Sequence, residues 1–182
     1  MNEDFSLKKE ELQCLRECMG REILMLGTGQ EPDDGEFWWP VYLQLDSRDV
    51  LKVENRMTAA NYFDGKEDCG RLSVAKVKEN IPDVYTKTIR QTIQNVKVVT
   101  NMVHYPATGT AKEFRFVYPK ALIFEMSDGV LVVERGWFFQ EALNVHLQSD
   151  KTVSIDDEMA DWYDPSEDEV KPLIEQRTTS LH

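Results

Sequence analysis

The sequence predicts an α+β fold that is mainly antiparallel β-sheet, with an N-terminal helix and an acidic C-terminal segment. Three observations carry that prediction. Apolar and polar residues alternate on both sides of Asp128-Gly129, a dipeptide suited to a type I′ turn, whose two central positions both need φ > 0. Leu12, Leu15 and Met19 recur at helical spacing near the start. From Asp150 to Glu169, nine acids stand against one base, Lys151. The 182 residues are expected to divide into one domain over 1–149 and an acidic segment over 150–182 that docks partly on that domain or on a partner.

The helix is expected over Phe5 to Met19, with Ser6 as N-cap and Gly20 as terminator. Cys14 and Cys18 are four apart and share one face, as small buried residues. Arg21 to Leu26 reads as a short strand, and Gly27 to Glu36 as a loop rich in turn formers and acids. Phe37 to Leu45 and Val50 to Glu54 read as strands joined by an Asp46-Ser47-Arg48-Asp49 turn. Gly65 to Gly70 reads as a polar loop and Arg71 to Val77 as a strand. Between Tyr85 and Asn95 the signals conflict: Ile89 and Ile93 fit a helix, while the threonines favour a strand.

From Val96 to Gln148 the pattern is antiparallel sheet. Val96, Val98, Met102 and His104 share one face of an unbroken strand, and Phe114, Phe116 and Tyr118 alternate on the return. The Asp128-Gly129 turn would pair Met126 with Leu131 and Phe124 with Val133 on a buried face, leaving Glu125 and Glu134 in water. Phe138 to Gln148 continues as strand. In the last segment Met159, Trp162, Tyr163, Leu173 and Ile174 are apolar anchors among acids, and a disordered tail has no need of two adjacent aromatics.

Composition narrows the function classes. The net charge is -12, from 33 acidic and 21 basic residues. That balance disfavours direct binding of nucleic acid, where affinity comes from Lys and Arg neutralising phosphates. It favours a basic protein surface. The middle of the chain is nearly balanced, with seven bases and five acids from Val84 to Leu147, so the C-terminal segment carries much of the excess. The plainer alternative is that acidity only keeps the protein soluble. Three cysteines, Cys14, Cys18 and Cys69, are too few for a disulfide framework and point to a reducing compartment. No basic and apolar leader opens the sequence and no run approaches the length of a membrane span, so neither secretion nor insertion is expected.

Catalytic constellations are sparse. Gly27-Thr28-Gly29 lacks the third glycine of a dinucleotide fingerprint, and Pro32 interrupts it. Phosphate-loop, zincin and nucleophile-elbow motifs are absent. His104 and His146 lie in strand patterns that could approach each other, but read as packed or half-exposed histidines; Cys14 and Cys18 lack a partner pair at zinc spacing. A two-metal nuclease would place a Lys just beyond a strand Glu, whereas Glu125 is followed by Met126-Ser127 and Glu134 by Arg135-Gly136. No catalytic residue, metal or cofactor is assigned.

The whole-chain character (intracellular size, acid concentrated in Asp150 to Glu169, no catalytic motif) resembles the small inhibitors carried by phages and mobile elements. In particular it is similar to anti-CRISPR proteins that block the type II RNA-guided effector nuclease. The resemblance implies a non-enzymatic, cytoplasmic protein of a bacterial host cell that binds a basic effector and denies it target DNA, its carboxylates standing in for phosphates. No family residue transfers individually. The partner-binding candidates are therefore acids and their aromatic neighbours: Asp33, Asp34, Glu36, Trp38 and Trp39 in one group, and in the other Asp156, Asp157, Glu158, Asp161, Trp162, Tyr163, Asp164, Glu167, Asp168 and Glu169. The alternatives are an immunity protein neutralising a basic toxin nuclease, a metal-dependent nuclease, and a structural domain with incidental acidity.

Overall fold

The computed structural model describes residues 2–33, 36–38, 40–62, 65–107, 113–156, 162 and 170–182. Among them the elements run β1 (Asn2–Asp4), α1 (Lys9–Arg16), β2 (Glu22–Thr28), β3 (Glu36–Phe37), β4 (Val41–Leu45), β5 (Val50–Tyr62), β6 (Gly65–Val77), β7 (Tyr85–Tyr105), β8 (Phe114–Met126), β9 (Gly129–Arg135), β10 (Leu143–Gln148) and β11 (Leu173–Ser180). This is a β-rich fold, which overturns the expected α+β class. The helix expected over Phe5 to Met19 keeps only eight residues.

The helix is short because backbone pairing elsewhere takes both ends of its sequence. Phe5 donates its N–H to the Val117 carbonyl (2.7 Å), continuing the course of β1. Ser6 is no cap: its own N–H goes to the Asp4 carboxylate (2.9 Å). The start is set at Lys8, whose N–H donates to the Glu11 carboxylate reaching back from three residues on (2.6 Å), one half of a capping box. At the other end Gly20 takes φ +77° and gives its N–H to Ile93 on β7 (2.8 Å).

The sheet order is β3-β10-β9-β8-β7-β2-β4-β5-β6, with β1 parallel beside β8 and β11 antiparallel beside β7. The ambiguous stretch from Tyr85 is strand, the first part of a 21-residue β7 that serves two neighbourhoods. Its first part pairs with β2 through Thr92, and the remainder pairs with β8 and β11. A bulge at Ile89-Arg90, where Arg90 has φ +53°, interrupts the first part, and a second at Gln94 lies near the start of the remainder. Such extra residues bend a strand and increase its twist. The two parts of the sheet thereby fold over one aliphatic core containing Leu43, Leu51 and Leu72 from one side and Val96, Leu122, Phe124, Leu131 and Val133 from the other. Leu15 and Cys18 reach it from the helix region, which is tied to β6 by Glu11–Arg71 (2.8 Å) and Glu17–Lys76 (2.5 Å).

A third bulge has a larger effect. Thr100 faces Pro119 but Val99 faces Ala121, so Lys120 is the extra residue in β8. Directly opposed residues share a face, and Phe114, Phe116 and Tyr118 oppose Tyr105, Val103 and Asn101. Those aromatics therefore share the face of Ala121 and Ile123, although their numbers have the parity of Leu122 and Phe124. On that opposite face they join Phe5, Ala60, Cys69, Phe138 and Trp162 in a second, aromatic core. A third patch, of Val99, Ala121, Ile123, Val130 and Val132, lies beside it.

Other expectations are corrected locally. The Gly65 to Gly70 loop is strand, because β5 and β6 form a hairpin of 13-residue arms whose polar end is held by backbone pairing. Pro40 follows β3, and the Phe37 to Leu45 strand is split into β3 and β4. Residues 137–140 form a turn closed by Gln140 N–H to Trp137 (3.1 Å), so strand resumes only at Leu143. At the predicted hairpin the two-residue loop is Ser127-Asp128, and Met126 opposes Gly129. Phe124 consequently faces Leu131 and Leu122 faces Val133, a two-residue shift that keeps the same face buried. Gly129 has φ +103°, and a Cβ there would collide with the Gln148 carbonyl. Glu125 and Glu134 are not free in water. Their side chains are 23% and 15% exposed and paired with Lys97 (2.5 Å) and Lys120 (3.1 Å).

Candidate functional site

The acid-rich segment is held against the sheet at points on both sides of its acid run. Leaving β10, Gln148 donates to the carbonyls of Asp150 and Thr152 (3.1 Å each), and the Thr152 N–H binds the Asp150 carboxylate (2.8 Å). That backbone hydrogen bond holds the Asp150 carboxyl below its usual range. Val153 and Ile155 then pack on the Val99–Val132 patch, covering the outer face of β8 and β9. Asp150 and Asp156 stay exposed.

Trp162 is the next fixed point. Its side chain is 2% exposed, lies 4.5 Å from Phe138 and 5.2 Å from Phe116 between ring centroids, and donates its indole N–H to the Tyr118 hydroxyl (3.1 Å). The Tyr105 hydroxyl binds its carbonyl. Trp162 cannot also anchor a partner from the surface without leaving the core, so its expected role is corrected to that of an internal clasp. Beyond it, β11 pairs with β7 from Lys97 to His104. Asp157, Glu158, Asp161, Tyr163, Asp164, Glu167, Asp168 and Glu169 lie outside the described residues.

The second predicted group sits at the β3 edge. Asp33 and Glu36 exchange backbone hydrogen bonds (3.1 and 2.8 Å), and Phe37 points into the aliphatic core, which turns Trp38 outward at 45% exposure. Asp34 and Trp39 lie outside the described residues. Phe37 faces Leu143, which faces Arg135, so β3 and β9 run the same way and Trp38 lies at the same sheet end as Trp137. Trp137 is also half-exposed, at 46%. The structure thus adds Trp137 to this group. The sequence signal was the Trp137-Phe138-Phe139 run, of which Phe138 is buried and Trp137 is not.

Two cations are buried at the junction of the cores. Lys120, placed inward by its bulge, binds Glu134 and the carbonyls of Arg135 (2.9 Å) and Gly136 (3.3 Å). Arg135 lies over the rings of Tyr118 and Phe138 (4.8 and 4.9 Å) and donates to the Phe138 carbonyl (3.0 Å). These contacts fix the β9–β10 turn, on which the β5–β6 hairpin docks through Gly70 N–H to Phe138 (2.9 Å) and Asn55 to Gln140 (2.7 Å).

A groove of about 370 Å³ opens between β11, β7 and β8, lined among others by Met102, His104, Arg115, Val117 and Leu173. At one end Glu113 accepts from Arg115 (2.7 Å) and lies 3.0 Å from His104 Nε2. The Arg115 hydrogen bond holds the Glu113 carboxyl below its usual range. Sequence reasoning missed this trio, which the return of the strand after residue 105 brings together. His146, which the strand pattern allowed near His104, lies on β10 opposite Val132 of β9, three strands from β7. Among the described residues the groove lining carries no hydroxyl or thiol nucleophile. Burial pushes the Cys18 thiol up to about 12 and the Cys69 thiol to about 11, where thiolate chemistry is suppressed.

Among the described residues no group of three His, Cys, Asp or Glu side chains could hold a metal ion, and no helix is long and apolar enough to cross a membrane. Compared with protein-family models, with curated proteins and with solved structures, the chain matches none.

Proposed function

We propose that the protein is a non-enzymatic inhibitor that binds a basic, nucleic-acid-handling effector, of the type II RNA-guided nuclease kind, and competes with that effector's nucleic acid. One observation carries the reading. The segment with nine acids and one base is bracketed by points held on the sheet: the partly buried Val153 and Ile155 before most of the acids, the buried Trp162 among them, and β11, paired with β7, after them. Acids needed only for solubility work equally well on a loose tail. Tethering limits the chain entropy lost when carboxylates meet a basic groove, and so favours binding.

The test is association rate and affinity for an effector–guide complex across a salt series, beside a panel of basic toxin nucleases. Exposed ion pairs contribute only about 0.2–1 kcal/mol each, so single substitutions should matter little. Reversing four acids together (Asp156, Asp157, Glu158 and Asp161 to Lys) should weaken binding at least roughly tenfold and flatten its salt dependence. Unchanged binding at low salt would reduce the acidic segment to a solubility device. Capture of a toxin nuclease and not the effector would make the protein an immunity protein acting by the same physics.

A further inference from the structure

We propose that the edge of β11 turned away from β7 is a self-association surface, and that its occupant is β11 of a second copy of this chain, paired antiparallel about Gln176. Among the described residues no strand pairs with that edge. Six of the eight β11 residues are exposed, so the strand lies in solvent along most of its length. An edge of this kind offers a row of backbone donors and acceptors to any matching strand. Natural edges are blunted by proline, a bulge, charged side chains or a covering segment. Leu173–Ser180 contains no proline, and its register with β7 runs without a bulge.

Its charges select the partner. Glu175 and Arg177 flank Gln176, share one face, and are 67% and 65% exposed, with a 3.1 Å contact between them. Two like charges there would repel a second copy. An acid and a base placed symmetrically about one residue instead attract it. With the two-fold axis at Gln176, each Glu175 lies opposite the other copy's Arg177, and such directly opposed pairs stabilise antiparallel strands. The same register sets Leu173, 64% exposed, against Thr179, and Ile174 against Thr178. The contact is isologous and closes at two copies.

The whole molecules repel, each carrying a net charge of -12, so the contact should strengthen as salt screens that long-range term. A single strand edge lies at the small end of stable interfaces, which implies association at micromolar chain concentration.

The experiment is sedimentation equilibrium of the full chain up to about 100 µM at about 0.15 M salt. Wild type should approach the mass of two chains. Glu175→Arg and Arg177→Glu should each weaken association at least roughly tenfold, and the double variant should recover it, because it restores the opposed pair with signs exchanged. Circular dichroism and thermal melting confirm that all four proteins fold. Hydrogen exchange should show β11 amides more protected at high concentration in wild type and in the double variant only. A single-chain mass at every concentration, dimers that survive both single changes, or a double variant that stays monomeric would each overturn the proposal.

Discussion

The aliphatic and aromatic cores are built on the same two strands, β7 and β8, yet they close in different ways. The aliphatic core takes its walls from strands on both sides of β7 and is complete without the acidic segment but for Leu181. The aromatic core has Phe114, Phe116 and Tyr118 as a floor and is closed by residues from distant parts of the chain, Phe5, Phe138 and Trp162. One core comes from strand pairing. The other depends on a clasp, and the clasp carries the acids. This difference leads to the expectation that the stability of the domain and the placement of its charged segment can be changed separately.

The sharpest way to separate them is to compare Phe124→Ala with Trp162→Ala. Phe124 is fully buried in the aliphatic core, and truncating it should cost about 3–5 kcal/mol of global stability, read as a large fall in denaturant midpoint. Trp162→Ala removes as large a side chain, but its segment can open without unpairing the central strands. The expected result is rapid proteolysis between residues 150 and 170 with a smaller loss in the main transition. Equal losses in that transition would mean that the two cores are one cooperative unit.

A smaller effect is expected where the cores meet. Lys120→Met leaves the Glu134 carboxylate, 15% exposed, without its cation, and should cost about 1–3 kcal/mol in chemical denaturation. Lys120→Met with Glu134→Gln should recover much of that loss. The smallest effect concerns the rim of the third patch. The Lys97 hydrogen bond, aided by Asn95, holds Glu125 below its ordinary 4.5. A depressed carboxyl stabilises the fold above its unfolded pKa and loses that contribution as pH falls through the folded value. Glu125→Gln should therefore flatten the decline in stability below about pH 4.5. The change should stay under about 1 kcal/mol because the pair is partly solvated.

The legible parts of the fold were those governed by local pattern. The turn at Asp46–Asp49, the alternation through Phe124 and Val133, and the strand character from Val96 follow from residue types that leave few alternatives. The helix boundaries did not, since Phe5 and Gly20 obey strand partners at Val117 and Ile93 that no local window contains. The polar arm of β6 read as loop because its apolar alternation is missing where backbone pairing replaces it. The parity reversal at Lys120 was invisible for a related reason: a bulge is decided by both strands, and either alone looks regular. At the candidate site, acids were legible as composition. That Trp162 turns inward while Trp137 stays half-exposed depended on a core assembled from three distant segments.

The double membership of β7 has a consequence for how the chain reaches its native state. Tyr85–Tyr105 collects partners from Glu22–Thr28, made long before it, and from Leu173–Ser180, made long after it. Pairings so distant in sequence raise the contact order and slow folding. During synthesis at about 5–20 residues per second, the edge from Lys97 to His104 must wait several seconds for β11. Throughout that interval the nascent chain exposes an unpaired strand flanked by newly formed hairpins. The same edge-pairing chemistry that joins β11 to β7 is then open to other chains, so production yield, more than equilibrium stability, should respond to changes in the speed at which residues 106–172 are made.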